Sequence, residues 1–211
     1  MKLFRLVSIM ICFVMLLVSF TGCENKKESQ SVSQPEVKME DLPYGATMQT
    51  DETNYPFTIS YDKRFFEPEE IKAITDYFYS IETKDEEVYK NRTVSSYMDY
   101  IVEQMYQNLI GIDGIMIQQN DEYNKAAGGE FTIAEVEISD YDDATEEGSD
   151  LYNLYEMLNV LNNDEKYTDE HITNSKYFKY NITLQGPERK ATQSDRTMFI
   201  VCEDGTYKVC P

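Results

Sequence analysis

RTMFIVCEDGTYKVC, Arg196 to Cys210, reads as two strands joined by the pair Asp204-Gly205. An Asp-Gly between two strand-like runs suits the tight hairpin turn whose central residues take positive φ. That register sets Cys202 opposite Tyr207 and turns Cys210 to the other face of the sheet. A disulfide needs both thiols close together and on one face. A bulge or a three-residue loop would restore that arrangement, so Cys202 and Cys210 stand as a candidate bridge.

Working back from the hairpin, HITNSKYFKYNITL (His171 to Leu184) is a further strand-like stretch. Before it, Leu151, Leu154, Tyr155, Leu158 and Leu161 recur at helical spacing, with Ser149 or Asp150 as N-cap. In FTIAEVEI, Phe131 and Ile133 share one parity and Val136 and Ile138 the other, which predicts a bulge near Ala134. Gly128-Gly129 punctuates the chain ahead of that strand. Further back, Pro68 with Glu69 and Glu70 suits a helix start, and Ile71, Ile74, Phe78 and Ile81 form one apolar stripe. Lys84-Asp85-Glu86-Glu87 breaks the stripe. Val94, Tyr97, Met98, Ile101, Met105 and Leu109 then predict a second helix that stops at Gly111. GIDGIMIQQN fits either a short helix or a turn. YPFTISYDKRFF, Tyr55 to Phe66, predicts an N-terminal lead-in strand. Helices first, then a strand, a helix and a run of strands give an α+β fold, with helices covering one face of a curved, mainly antiparallel sheet.

This order, with AITDYFYSIETKDEEVY (Ala73 to Tyr89) and FIVCEDGTYKVC (Phe199 to Cys210), resembles the NTF2-like, or cystatin-like-cone, superfamily over roughly residues 67–210. Small lipoproteins of clostridial type are similar in layout. The resemblance implies a cone that encloses an apolar pocket between the sheet and the first helix, with Ile74, Phe78, Tyr97, Tyr155 and Tyr177 as lining. Some members of the superfamily are isomerases, cyclases or dehydratases with an Asp or a His/Asp pair inside the cone. A fold alone does not carry such a function across. His171, the single histidine, reads as exposed at a loop–strand junction, and Asp76, off the apolar stripe, reads as solvated.

The N-terminus carries a different message. Lys2 and Arg5 precede an uncharged run, Leu6 to Phe20, and then Thr21, Gly22 and Cys23, a secretory pattern. FTGC resembles the lipobox of bacterial lipoproteins, departing from it at Phe20, and implies acylation of Cys23. Residues 1–22 are then the signal peptide, and 23–43, polar and without aromatics, a disordered tether. Residues 44–211 form the domain. This reading implies a lipid-anchored protein on the extracytoplasmic face of the cell membrane.

The whole chain carries 19 basic and 39 acidic residues, a net charge of −20. Such a surface repels nucleic acid and anionic lipid. Asp140, Asp142, Asp143, Glu146, Glu147 and Asp150 invite a calcium reading. With Gly148 in the sixth place of an EF-hand loop, however, Leu154 falls where a bidentate Glu is needed. A solvated acidic loop is the better reading, and no metal or other cofactor is implied. No nucleophile elbow, phosphate-binding loop or zinc motif occurs. The sequence therefore predicts a non-enzymatic binding module whose partner is a protein or a small apolar ligand, with self-association left open. The alternatives are an enzyme using the cone pocket and a cation-dependent adhesin or sensor.

Overall fold

Alternating and helical periodicities resolve into six strands and six helices among the described residues. The structure is a computed structural model and describes residues 38, 39 and 42–211. The stretches read as signal peptide and tether, Cys23 included, lie outside the described residues except for residues 38, 39, 42 and 43. No helix among those described is long and apolar enough to cross a membrane.

The strands are β1 (Met48–Glu52), β2 (Thr58–Asp62), β3 (Thr132–Asp142), β4 (Ile172–Gln185), β5 (Lys190–Glu203) and β6 (Thr206–Cys210). They lie in chain order in one sheet. Neighbours pair antiparallel except β2 and β3, which run parallel. That exception has a topological cause. The helices α1 (Pro68–Thr83), α2 (Glu86–Asn91), α3 (Ser95–Gln104) and α4 (Ile112–Ala127) intervene, and such a crossover is what a parallel neighbour requires. The lead-in segment thus supplies a hairpin, β1–β2, rather than the single strand expected.

α1 forms where the Pro68 signal and apolar stripe predict it, with a capping box between Glu67 and Glu70. Ile74, Phe78 and Ile81 are wholly buried against Ile59, Val136, Ile138, Phe178 and Ile182 of the sheet. The expected bulge is present: the β3–β4 register shifts between Ile133 and Glu135 and again between Ile138 and Asp140. Bulges bend strands and increase their twist.

Three expectations need correction. The apolar run from Val94 to Leu109 is not one helix ending at Gly111. α3 stops at Gln104, and Gln107 and Asn108 turn with positive φ. Met105 and Leu109 are exposed, and Gly111 is the N-cap of the sixteen-residue α4, which absorbs GIDGIMIQQN. Second, helices do not cover one face alone. α5 (Asp150–Leu161) packs Leu151, Leu154 and Leu158 with Val94, Tyr177, Phe199, Val201 and Cys210 in a second core. Tyr177 alternates with Phe178, and Val201 with Ile200, so this core lies on the opposite face of the sheet from the first. Ser149 caps α5, accepting from the Tyr152 amide. Third, Cys202 and Cys210 are buried free thiols. The turn keeps two residues, so Cys202 pairs with Tyr207 and Cys210 with Phe199, on opposite faces of β5–β6.

Where α5 does not reach, the second face is polar. Thr50 and Ser60 share a hydrogen bond, Ser60 donates to Glu135, and Asn181 donates to Glu137. A sheet with one wet face accounts for this.

Candidate functional site

Lys176 shares strand parity with Phe178, Tyr180 and Ile182, so alternation aims its ammonium at the α1 side of the sheet. There it ion-pairs with Glu70 in the first turn of α1, and both are buried, at 8% and 0% exposure. Asn174, two residues earlier on the same face, donates to Glu70 and to the Tyr207 hydroxyl. Burial chiefly raises the pKa of Tyr207, which stays a neutral phenol. Taking both members of an ion pair out of water costs several kcal/mol per ion in general. A buried pair of this kind is weak evidence for stability and a pointer to a site.

The pair is not sealed. Lys176 and Asn174 line a cleft of about 340 Å³ closed by Lys63, Phe66, Glu67 and Tyr141. Lys176 also lies 5.5 Å from the centre of the Phe66 ring, a cation–π distance. Tyr141 packs on Phe65 at 4.5 Å and on Phe66 at 6.0 Å between ring centroids. The cleft therefore sets the rings of Phe65, Phe66 and Tyr141 among charged groups, with Arg64 and Asp143 joining Lys63, Glu67 and Lys176 in its lining.

Beside it, Asp62 is wholly buried and accepts from the Gly45 and Thr47 amides and the Thr47 hydroxyl. The Arg64 guanidinium grips Asp62 at 2.6 Å and donates to the carbonyls of Met39, Leu42 and Pro43. The Arg64 hydrogen bonds hold the Asp62 carboxyl well below the usual carboxylate range. Met39, Leu42 and Pro43, inside the stretch read as tether, are thus in contact with the domain.

The sequence-selected residues scatter. Ile74 and Phe78 are wholly buried in the first core. Tyr177 packs on the second core, and Tyr155 is hydrogen-bonded to Ser175, which shares Tyr177's strand parity. Tyr97 touches both cores and donates to the Pro211 carbonyl, with its pKa pushed up to about 12, mostly by burial. These five lie on opposite faces and do not line one cavity. His171 ends α6 (Tyr167–His171), stacks on Tyr167 and pairs with the exposed Asp204 at 2.8 Å.

Asp76 is a correction: it is buried rather than solvated. It accepts from Tyr55, Lys72 and Arg92 at 2.6, 2.6 and 2.8 Å. Tyr55 and Arg92, from the β1–β2 connection and the end of α2, cover the flank that helical spacing left polar. In the acidic loop, Asp140 pairs with Lys179 and Asp142 accepts from the Ala144 amide. Among the described residues no group of three or more His, Cys, Asp or Glu could hold a metal.

Sequence reading missed the Glu70–Lys176 floor, although a signal existed. Lys176 sits on the inward parity of an otherwise apolar strand, and a buried Lys demands a carboxylate partner. That partner is 106 residues away, and spacing does not announce it. Compared with known protein families, curated proteins and solved structures, the chain matches none.

Proposed function

We infer that this is a lipid-anchored, extracytoplasmic membrane protein whose domain, of the cystatin-like-cone type, is a binding module rather than an enzyme. The leader pattern and Cys23 support the anchor. A filled interior supports the non-enzymatic reading: Ile74, Tyr77, Phe78, Phe178 and Tyr180 occupy the space between α1 and the sheet, none above 5% exposure. The observation that carries the site is the buried Glu70–Lys176 pair opening onto an aromatic-walled cleft. Concave sites with apolar walls and a few convergent polar groups are the usual seats of small ligands. The cleft accordingly takes a compact, polar ligand whose flat ring packs against Phe66 and Tyr141 and whose polar groups hydrogen-bond Asn174 and Lys176.

A thermal-shift screen of small aromatic and aliphatic ligands, followed by titration calorimetry, tests the site. Tyr141→Ala should weaken a bound compound about tenfold, a loss of roughly 1.4 kcal/mol, measured well below the variant's own, lower melting temperature, since the ring also packs on Tyr44, Phe65 and Phe66. A hit that binds this variant unchanged removes the cleft from consideration. The anchor has its own test: metabolic labelling with a fatty-acid analogue should tag the wild type and leave Cys23→Ser unlabelled.

A further inference from the structure

The two outer edges of the sheet are treated differently. β6 is covered: the Val94 amide donates to the Val209 carbonyl, and the Val209 amide to the Arg92 carbonyl. The stretch of β5 that β6 does not reach is broken by a register shift near Asp195, whose φ is 55°, and such bulges blunt an edge. β1 has neither protection. It pairs with β2 over five unbroken positions, and among the described residues no strand lies on its other side.

A groove of about 380 Å³ runs between this edge and α1. Its floor is Ile59 and Ile71, beside Pro68. Its outer lip is Asp51 and Glu52. Asp51 is fixed there by hydrogen bonds from Gln49 and Tyr61, both at 2.7 Å. The one cation among the residues lining the groove, Lys72, is paired with Asp76, a carboxylate it shares with Arg92. The lip therefore sets two carboxylates beside an apolar floor, and among the described residues no strand pairs with the outer backbone groups of β1.

We propose that β1 and this groove form a docking site for an extended, basic peptide segment that adds to the sheet as a seventh strand. The backbone of the segment completes the β1 ladder, and alternate side chains fall on the groove side, as in other strand-addition complexes. An apolar side chain settles against Pro68 and Ile71, and a Lys or Arg faces Asp51 on the groove side, with a neighbouring one of the opposite parity facing Glu52. Charge selects the occupant. A second copy of a chain of net charge −20 would bring like charges edge to edge, whereas a cationic segment is attracted. Carboxylates on an edge also deter self-pairing, so the site rejects its own copies and accepts a basic partner.

Hydrogen–deuterium exchange of the full chain with a blocked heptapeptide of alternating Val and Lys is the test. The peptide should slow exchange of the Met48–Glu52 amides. Asp51→Lys combined with Glu52→Lys should weaken it about tenfold or more and favour a Val/Glu peptide instead. A Val/Lys peptide N-methylated at alternate residues keeps its charge but cannot extend a ladder, and should not bind. Equal binding by the N-methylated peptide would show general attraction to an acidic protein and overturn the proposal. So would the absence of β1 protection, or an unchanged affinity in the double variant. The melting temperature of the double variant, if unchanged, separates a lost site from a lost fold.

Discussion

Asp76 shows how much one carboxylate holds when four segments converge on it. Lys72 lies one turn away on α1, Tyr55 follows β1, and Arg92 at the end of α2 also reaches the Tyr207 carbonyl on β6. Burial acts to raise the pKa of Asp76, but the hydrogen bonds from Lys72, Tyr55 and Arg92 outweigh it and hold the carboxyl below its ordinary value. Removing one partner of a fully buried pair typically costs 3–5 kcal/mol. Lys72 is half exposed and Arg92 partly so, so Asp76→Ala should cost about 2–3 kcal/mol in urea unfolding. The depressed pKa makes this stabilisation present above about 3.8, the ordinary value, and lost as pH falls through the folded-state value. Asp76→Asn should therefore flatten part of the acid limb of the stability curve; an unchanged limb would assign acid lability to other carboxylates, Asp62 first. His171 carries the opposite sign. Its hydrogen bond to Asp204 raises its pKa, so the charged pair is fully formed below the ordinary value of 6.5 and is lost as pH rises through the folded one. NMR titration should place the His171 midpoint above that value, and Asp204→Asn should bring it down.

Elements were legible wherever the signal was local. The stripe of α1, the N-cap Ser149, the bulge at Ala134 and the Asp204-Gly205 turn all rest on residues a few positions apart, where steric rules act directly. The division of α3 from α4 was not legible, because Met105 and Leu109 continue an apolar period without being buried. Nor was the helical covering of both sheet faces. Tyr177 and Phe199 look the same in sequence whether they meet water, a ligand or α5. The buried carboxylates Glu70 and Asp76 were hidden because Lys176, Asn174, Tyr55 and Arg92, which bury and bond them, come from other elements. Two glycines test the local reasoning by different mechanisms. Asp204 and Gly205 have φ of 49° and 77°, and a Cβ on Gly205 would meet open space. Gly205→Ala should thus cost only backbone strain, about 1 kcal/mol. Gly186 lies where the β4–β5 connection crosses the end of α4, and a Cβ there would come within 2.3 Å of the Ala127 carbonyl oxygen. Gly186→Ala must move backbone, and should cost more, about 2–3 kcal/mol. Urea midpoints that reverse this order would mean that the β4–β5 connection yields easily.

On the scale of the whole molecule, the Asp62–Arg64 pair fastens the N-terminal end of the domain and so limits the free length of chain back to the proposed anchor, Cys23. Met39 lies 39 − 23 = 16 residues beyond Cys23, and a fully extended chain of that length spans at most about 56 Å. Fastening the chain at Met39 rather than releasing it up to Tyr44 shortens the reach and fixes the exit point beside the aromatic cleft, since Arg64 borders that cleft. The Asp62–Arg64 clamp and the candidate site thus lie side by side in the domain. Arg64→Ala would leave the buried Asp62 with the Gly45, Thr47 and residue-64 amides and the Thr47 hydroxyl as its donors, and should destabilise the fold because no cation then faces the carboxylate. It would also free the carbonyls of Met39, Leu42 and Pro43. Arg64→Lys keeps the charge but loses the planar fork that reaches several acceptors together, so it should restore part of the stability and little of the fastening. Hydrogen exchange separates the two effects. The Gly45 and Thr47 amides should exchange faster in Arg64→Ala, while those of β4 and β5 should change only as global stability does. If Gly45 and Thr47 stay protected in Arg64→Ala, Asp62 alone holds the segment and the guanidinium is a bystander to the tether.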